Sequence, residues 1–288
     1  MKSLRKLILG TAQFGLDYGV NNSIGKISSS EACEILCYAR SKGILTLDTA
    51  SAYGDAEEKI GNYHSSAETS FDVITKFDKL FDLGWEESIQ LSLKKIKVPI
   101  VEAAMFHSFS SYQDSKADLK IIQAKGKGKY FKRLGVSVYT NEELEELLND
   151  DNVELVQLPF NLLDNDSHRN VILQKLKDAG KIIHTRSVFL QGLFYKSLTE
   201  LPPTLISLKP HLLEARQIAD EAEVDIGVLA LQYVLSKDYI DGVLIGIDSK
   251  DQLEKNIHAL NQKINPVVFE KIDAIRVNNV DLLNPSKW

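Results

Sequence analysis

Ile44-Leu45-Thr46-Leu47-Asp48-Thr49-Ala50-Ser51-Ala52-Tyr53-Gly54 opens with an aliphatic run, the pattern of a short strand buried on both faces. A carboxylate, Asp48, ends that run, and a phenol, Tyr53, follows beside Gly54, where a loop should turn. Burying a neutral polar group without a partner costs roughly 2–7 kcal/mol, and an isolated charge costs more. The two side chains therefore need a cation nearby and a chemical reason to be there.

The same unit recurs on both sides of this stretch. Upstream, 7–11 reads as a strand, with Gly10 permitting close approach of a backbone or ligand. Residues 14–26 are loop-like, with Gly15, Gly19, Asn21, Asn22 and Gly25. Ser28-Ser29-Ser30 can cap a helix that carries Ala32, Ile35, Leu36 and Ala39 on one face and stops at Gly43. Downstream, the pattern predicts strands over 71–76, 102–107, 134–138, 153–158 (closed by Pro159), 181–189 and 243–245. Helices are predicted over 57–63, 85–96 (Leu91 and Ile96 inward), 115–125, 142–148 (capped by Asn141), 168–179, 212–221, 226–235 and 253–260.

Eight strands, each followed by a helix at a spacing of roughly thirty residues, imply a parallel sheet built of βα units. That count is the count of a (β/α)8 TIM barrel, an α/β fold forming a single domain over residues 1–288. A doubly wound open sheet is the alternative and usually has fewer strands. The longest irregular loop, 191–209, follows the seventh strand, where barrel enzymes often contact substrate or phosphate.

Composition narrows the partners. The 288 residues are 44% apolar and carry a net charge of −6, which gives no general attraction for nucleic acid or anionic lipid. No run approaches the roughly 18–20 apolar residues of a membrane helix, and 7–9 is too short for a secretory signal, so a cytoplasmic protein is expected. Cys33 and Cys37 make at most half a metal site and read as small core-facing residues of a reduced chain.

Asp48, Lys76 and His107 end three consecutive strands, and barrel active sites form at those ends. A lone strand-end His is more often structural, and a lone Lys more often a snorkelling surface group. The coincidence in register is what carries weight. A buried ammonium needs the anion that Asp48 supplies. A cation beside a phenol favours its ionised form, lowering a pKa of about 10 in model peptides, so that Tyr53 becomes a usable proton donor. His107 can hydrogen-bond a carbonyl oxygen and stabilise negative charge developing there.

These residues resemble the aldo-keto reductase family. Asp48, Tyr53, Lys76 and His107 match its Asp-Tyr-Lys-His tetrad, and Asp48-Thr49-Ala50-Ser51-Ala52-Tyr53-Gly54 is similar to its D-T-A-x-x-Y-G motif. Leu9-Gly10-Thr11 looks like its first-strand signature, and the likeness runs from Leu7 to about Leu260. The resemblance implies NADP(H), with NAD(H) possible, bound across the barrel mouth and delivering hydride to a small-molecule carbonyl substrate. It implies cofactor contacts from Gly10, Thr11 and Asp48; Ser137 and Gln157 hold the carboxamide. The segment Arg186-Ser187-Val188-Phe189-Leu190-Gln191-Gly192 flanks the nicotinamide and pyrophosphate. Gly246, Asp248, Gln252, Lys255 and Asn256 hold the adenosine end.

The chain departs from the family pattern in three places. Val138 follows the carboxamide serine where many members have Asn. Arg186 stands where many stack an aromatic ring, and its guanidinium can stack instead. Gly246 and Gln252 stand where NADPH-preferring members often have Lys and Arg. Phe14, Trp85, Phe109 and Tyr112 are candidates to shape the pocket. Two other readings are a cofactor-binding sensor without turnover and a metal-dependent hydrolase using Asp48 and His107, whose ligand count is short.

Overall fold

The computed structural model describes residues 2–19, 25–77 and 84–288. Eight strands, β1 (Leu7–Gly10), β2 (Thr46–Asp48), β3 (Asp72–Phe77), β4 (Val101–Phe106), β5 (Phe131–Ser137), β6 (Leu155–Pro159), β7 (Ile182–Arg186) and β8 (Gly242–Gly246), close a barrel in sequence order. Every neighbouring pair is parallel, including β1 with β8. The architecture is the single-domain (β/α)8 barrel expected.

Alternation along the strands divides the core in two. Ile8, Ile74, Ala103, Met105, Leu155 and Leu244 point inward and fill the barrel. The other face, with Leu7, Leu9, Val73, Ala104, Val136 and Val156, joins the larger core beneath the outer helices. Helices Ser29–Lys42 and Asp166–Asp178 begin at side-chain caps: Ser28 receives the Glu31 N–H in a capping box, and Asn165 receives the Ser167 N–H; Trp85–Ile96 starts after Gly84 without one.

Several boundaries differ from the sequence expectation. β2 begins at Thr46, because the preceding helix ends at Gly43 in the left-handed conformation (φ 90°) and Leu45 still lies 45% exposed. β7 stops at Arg186, because Ser187 takes φ 60° and breaks the extended run. Pro159 is the last residue of β6 rather than a stop beyond it. The helix expected over 115–125 is Leu119–Gly126, since Ser108 caps a separate helix over Phe109–Asp114. A further helix, Pro266–Asp273, follows its Asn265 cap. Helix Trp85–Ile96 buries Ile89, Leu93 and Ile96, which leaves Leu91 out of phase and exposed. Of the two cysteines only Cys33 packs against the core, half-buried, whereas Cys37 is exposed, because Ala32, Ile35, Leu36 and Ala39 occupy the inner face. The loop expected over 14–26 includes residues 20–24, which lie outside the described residues.

The turn after β2 is held by backbone contact. A Cβ on Gly15 would overlap the Tyr53 carbonyl oxygen, and one on Gly54, whose φ is 53°, would overlap the Gly15 oxygen. Lys59, buried on the following helix Ala56–Ser66, donates to the carbonyls of Phe14 (2.6 Å) and Ile27 (2.7 Å) and ties the loop after β1 to the same turn.

Deep in the barrel, His184 of β7 fills the space that Gly242 leaves open beside Ile8, and its Nδ1 is buried with no hydrogen-bond partner. Burial pushes its pKa down from 6.5 to about 4.

Two outcomes follow from these contacts. Gly15→Ala should destabilise the fold by about 1–3 kcal/mol through overpacking, read as a lower Tm in thermal unfolding; an unchanged Tm would show that the turn can yield. For His184, the unfolded chain takes up a proton near pH 6.5 that the fold refuses until about pH 4. The unfolded state therefore holds more protons in that window. Stability is fully present above about pH 6.5 and is lost as pH falls toward about 4. His184→Gln should flatten urea-unfolding stability between those limits, though not fully, because His64 and His168 are shifted in the same direction by burial. An identical slope in wild type and variant would refute this.

Candidate active site

Parallel pairing in sequence order places the C-terminal ends of β2, β3 and β4 side by side, and three polar residues meet there. Asp48 is the last residue of β2, Lys76 the penultimate residue of β3, and His107 directly follows β4. Tyr53 joins them from the turn after β2, where its N–H donates to the Ala50 carbonyl. Lys76 Nζ forms an ion pair with Asp48 Oδ1 and donates to the Thr49 carbonyl at 3.3 Å. The ammonium lies 5.6 Å from the Tyr53 ring centroid. The Tyr53 and His107 rings meet edge to face, 5.7 Å between centroids at 78°.

Asp48 and Lys76 are each only 2% exposed. Burial pulls the Lys76 pKa down and the Asp48 carboxylate opposes that pull. The other Asp48 oxygen, Oδ2, accepts from Gln157 Nε2 of β6 at 2.9 Å, across the barrel. The Gln157 Oε1 is buried and has no hydrogen-bond partner. A buried carbonyl oxygen without a donor is rare, and here it belongs to a residue that lines a cavity.

That cavity, about 890 Å³, begins at Asp48 and Tyr53 and runs over the ends of β7 and β8 to helix Lys250–Ala259. Of the residues proposed from sequence for the cofactor, Gly10, Thr11, Asp48, Gln157, Arg186, Ser187, Phe189, Gly192, Gly246, Asp248, Gln252, Lys255 and Asn256 stand in its wall. Ser137 is buried at the end of β5, in register with Gln157. Leu190 instead turns its side chain into the core. None of Phe14, Trp85, Phe109 and Tyr112 reaches the cavity wall: Phe14 and Tyr112 are wholly buried, and the Tyr112 hydroxyl is spent on Asp150.

Arg186 donates from Nη2 to the Val138 carbonyl at 3.1 Å, and its guanidinium lies 4.1 Å over the Tyr139 ring. The wall also contains Gln13, Tyr18, Tyr195, Gly227, His258 and Gln262, which sequence reasoning missed. Tyr18, from the loop after β1, accepts a 3.0 Å hydrogen bond from Gln191, from the loop after β7, and so bridges the mouth. Burial raises the Tyr18 pKa, the neighbouring Tyr53 phenol adds to the rise, and Arg186 acts against it. Ser187, Leu190 and Gln191 all have positive φ, between 48° and 60°, an unusual density of backbone strain for five residues and one typical of functional segments. Among the described residues, no group of three or more His, Cys, Asp or Glu converges as a metal site would require, and no helix is long and apolar enough to cross a membrane.

The model of the aldo/keto reductase family matches residues 6–277, and the chain belongs to that family. It is 24% identical to the oxidoreductase YqkF of Bacillus subtilis, over 95% of this chain and 96% of that protein. Among solved structures, the holo form of aldo-keto reductase AKR11C1 from Bacillus halodurans superposes with a TM-score of 0.73 at 18% identity, covering 94% of this chain and 91% of the other. PA4992 of Pseudomonas aeruginosa gives 0.64 at 20% identity, covering 88% of each chain.

Lys76→Met would leave the Asp48 carboxylate buried without its cation. The variant should lose about 3–5 kcal/mol of stability in urea unfolding. A loss below about 1 kcal/mol would mean that the pair is solvated in solution.

Proposed function

We propose that the chain is an NAD(P)H-dependent carbonyl reductase that converts an aldehyde, ketone or sugar-like carbonyl to the alcohol, with Tyr53 as the proton donor. The observation that carries this reading is the meeting of phenol, ammonium, imidazole and carboxylate beside a cavity of about 890 Å³, into whose wall Tyr53 and Asp48 reach. A bound nicotinamide would supply the hydride. The residues present fit such a group: the orphaned Gln157 oxygen awaits an amide N–H, Ser137 stands next to it, and glycines at 10, 192 and 246 leave the wall open to close approach.

Each side chain then has a task. Tyr53 donates its phenolic proton to the substrate oxygen, and the Lys76 ammonium stabilises the phenolate left behind. Asp48 holds that ammonium in place against the cost of its burial, and is itself anchored by Gln157. His107, edge-on to the Tyr53 ring, orients the carbonyl oxygen and stabilises charge that develops there. The choice between NADP(H) and NAD(H) is made at the part of the cavity wall where Asp248, Gln252 and Lys255 stand.

A sensor that binds cofactor without turnover would need none of the proton-transfer machinery, so the complete set of four groups favours the enzyme. A panel of small aldehydes and ketones, followed by loss of reduced-cofactor absorbance, separates the two; tight cofactor binding without oxidation across the panel would favour the sensor. For a substrate found in this way, Tyr53→Phe should lower kcat by about 10²–10⁴-fold while cofactor binding stays nearly unchanged, because the ring remains and only the proton is lost. Turnover like the wild type would contradict the role given to Tyr53.

A further inference from the structure

Part of the cavity wall is formed by the end of β8 and the first turns of helix Lys250–Ala259. A helix start is the usual place for a phosphate, because its first N–H groups are unpaired and its dipole favours anions. At this start the Gln252 N–H, and just before the helix the Asp248 N–H, already have side-chain partners. The Asp248 N–H donates to Gln252 Oε1 at 2.9 Å, and Gln252 Nε2 returns a 3.2 Å hydrogen bond to Asp248 Oδ2. Ser249 Oγ caps the Gln252 N–H, and Asp251 places a second carboxylate in the first turn. Gly246, in the wall beside them, carries no side chain, and a Cβ there would come within 2.8 Å of the Gln13 amide.

The charges point the same way. Asp248 lines the cavity, whereas Lys255, about two turns further on, is the single Lys or Arg that the helix contributes to the wall. The helix's other lysine, Lys250, lies 5.2 Å over the Tyr38 ring and is paired with Glu254. A phosphate monoester brings roughly two negative charges. Set beside Asp248 it meets a carboxylate, and the Asp248 N–H is taken by Gln252. A ribose with both hydroxyls free gains where the phosphate loses, because a hydroxyl donates to a carboxylate, the recognition used for NAD in other dinucleotide sites.

We propose that the Asp248–Gln252 pair selects the cofactor without a 2′-phosphate, so that this chain prefers NAD(H) to NADP(H), against the NADP(H) expected from family habit. The proposal rests on the reading of the cavity as a nicotinamide dinucleotide site. Asp248 and Gln252 act as specificity determinants remote from the reacting atoms.

The test is binding rather than turnover: titration of the purified protein with NADH and with NADPH, followed by nicotinamide fluorescence. NADH should bind more tightly by about tenfold or more. Equal or tighter binding of NADPH would overturn the proposal while leaving the carbonyl reductase reading intact. Binding of neither would overturn that reading and this proposal together. Asp248→Asn removes the charge and keeps the shape; it should raise NADPH affinity several-fold with little change in Tm. Asp248→Ser combined with Gln252→Arg should narrow the preference for NADH by about tenfold. An unchanged NADH-to-NADPH ratio in the isosteric variant and in the double variant would remove these two residues from the selection.

Discussion

The ion pair between Asp48 and Lys76 is the constraint on which the site depends. Neither charge reaches solvent, so each is tolerable only because the other is in place. The barrel supplies that proximity at no local cost, since β2 and β3 are neighbours and both residues point inward near the strand ends. Gln157 then ties the free oxygen of Asp48 to the opposite side of the barrel. The pair is therefore fixed from three strands. The ammonium it holds faces the Tyr53 ring, and through that contact the packing of the barrel becomes a property of a phenol.

The elements around this pair differ in rigidity. The strand ends and the Tyr53 turn are locked by ladder hydrogen bonds, by backbone touching backbone, and by the buried Lys59. The loop after β7 is built otherwise. It carries three residues in a backbone conformation that only glycine adopts freely, and one of them, Gln191, reaches across to Tyr18. The four polar groups thus stand on the tightly held part, while the strained segment forms another part of the cavity wall.

Much of this was legible in the sequence because its signals are short-range. Alternating aliphatic runs and capped helices gave eight βα units, and the closed barrel follows from that count. Asp48, Lys76 and His107 could be placed together because each ends a strand and consecutive strands of a barrel are adjacent. What escaped depends on contacts between segments distant in the chain. Nothing local marks Tyr18 as part of the cavity, because its partner Gln191 lies 173 residues away in the chain. Leu190 sits within a segment that lines the cavity, yet the left-handed turn directs its side chain to the core. Leu91 and Cys37 looked inward by composition, but helix phase is set by the larger residues on the opposite face. Phe14 and Tyr112, aromatic and near strand ends, were absorbed by the outer core instead of the pocket.

Gly15 and Gly54 abut with no side chain between them, so the place of the turn that carries Tyr53 is set in large part by main-chain contact. Residues at the rim, such as Tyr18, Gln191 and Tyr195, can be exchanged over evolutionary time without moving it. A lineage can thus be retargeted to new molecules by redecorating the entrance, while the two smallest residues in the neighbourhood remain the hardest to replace.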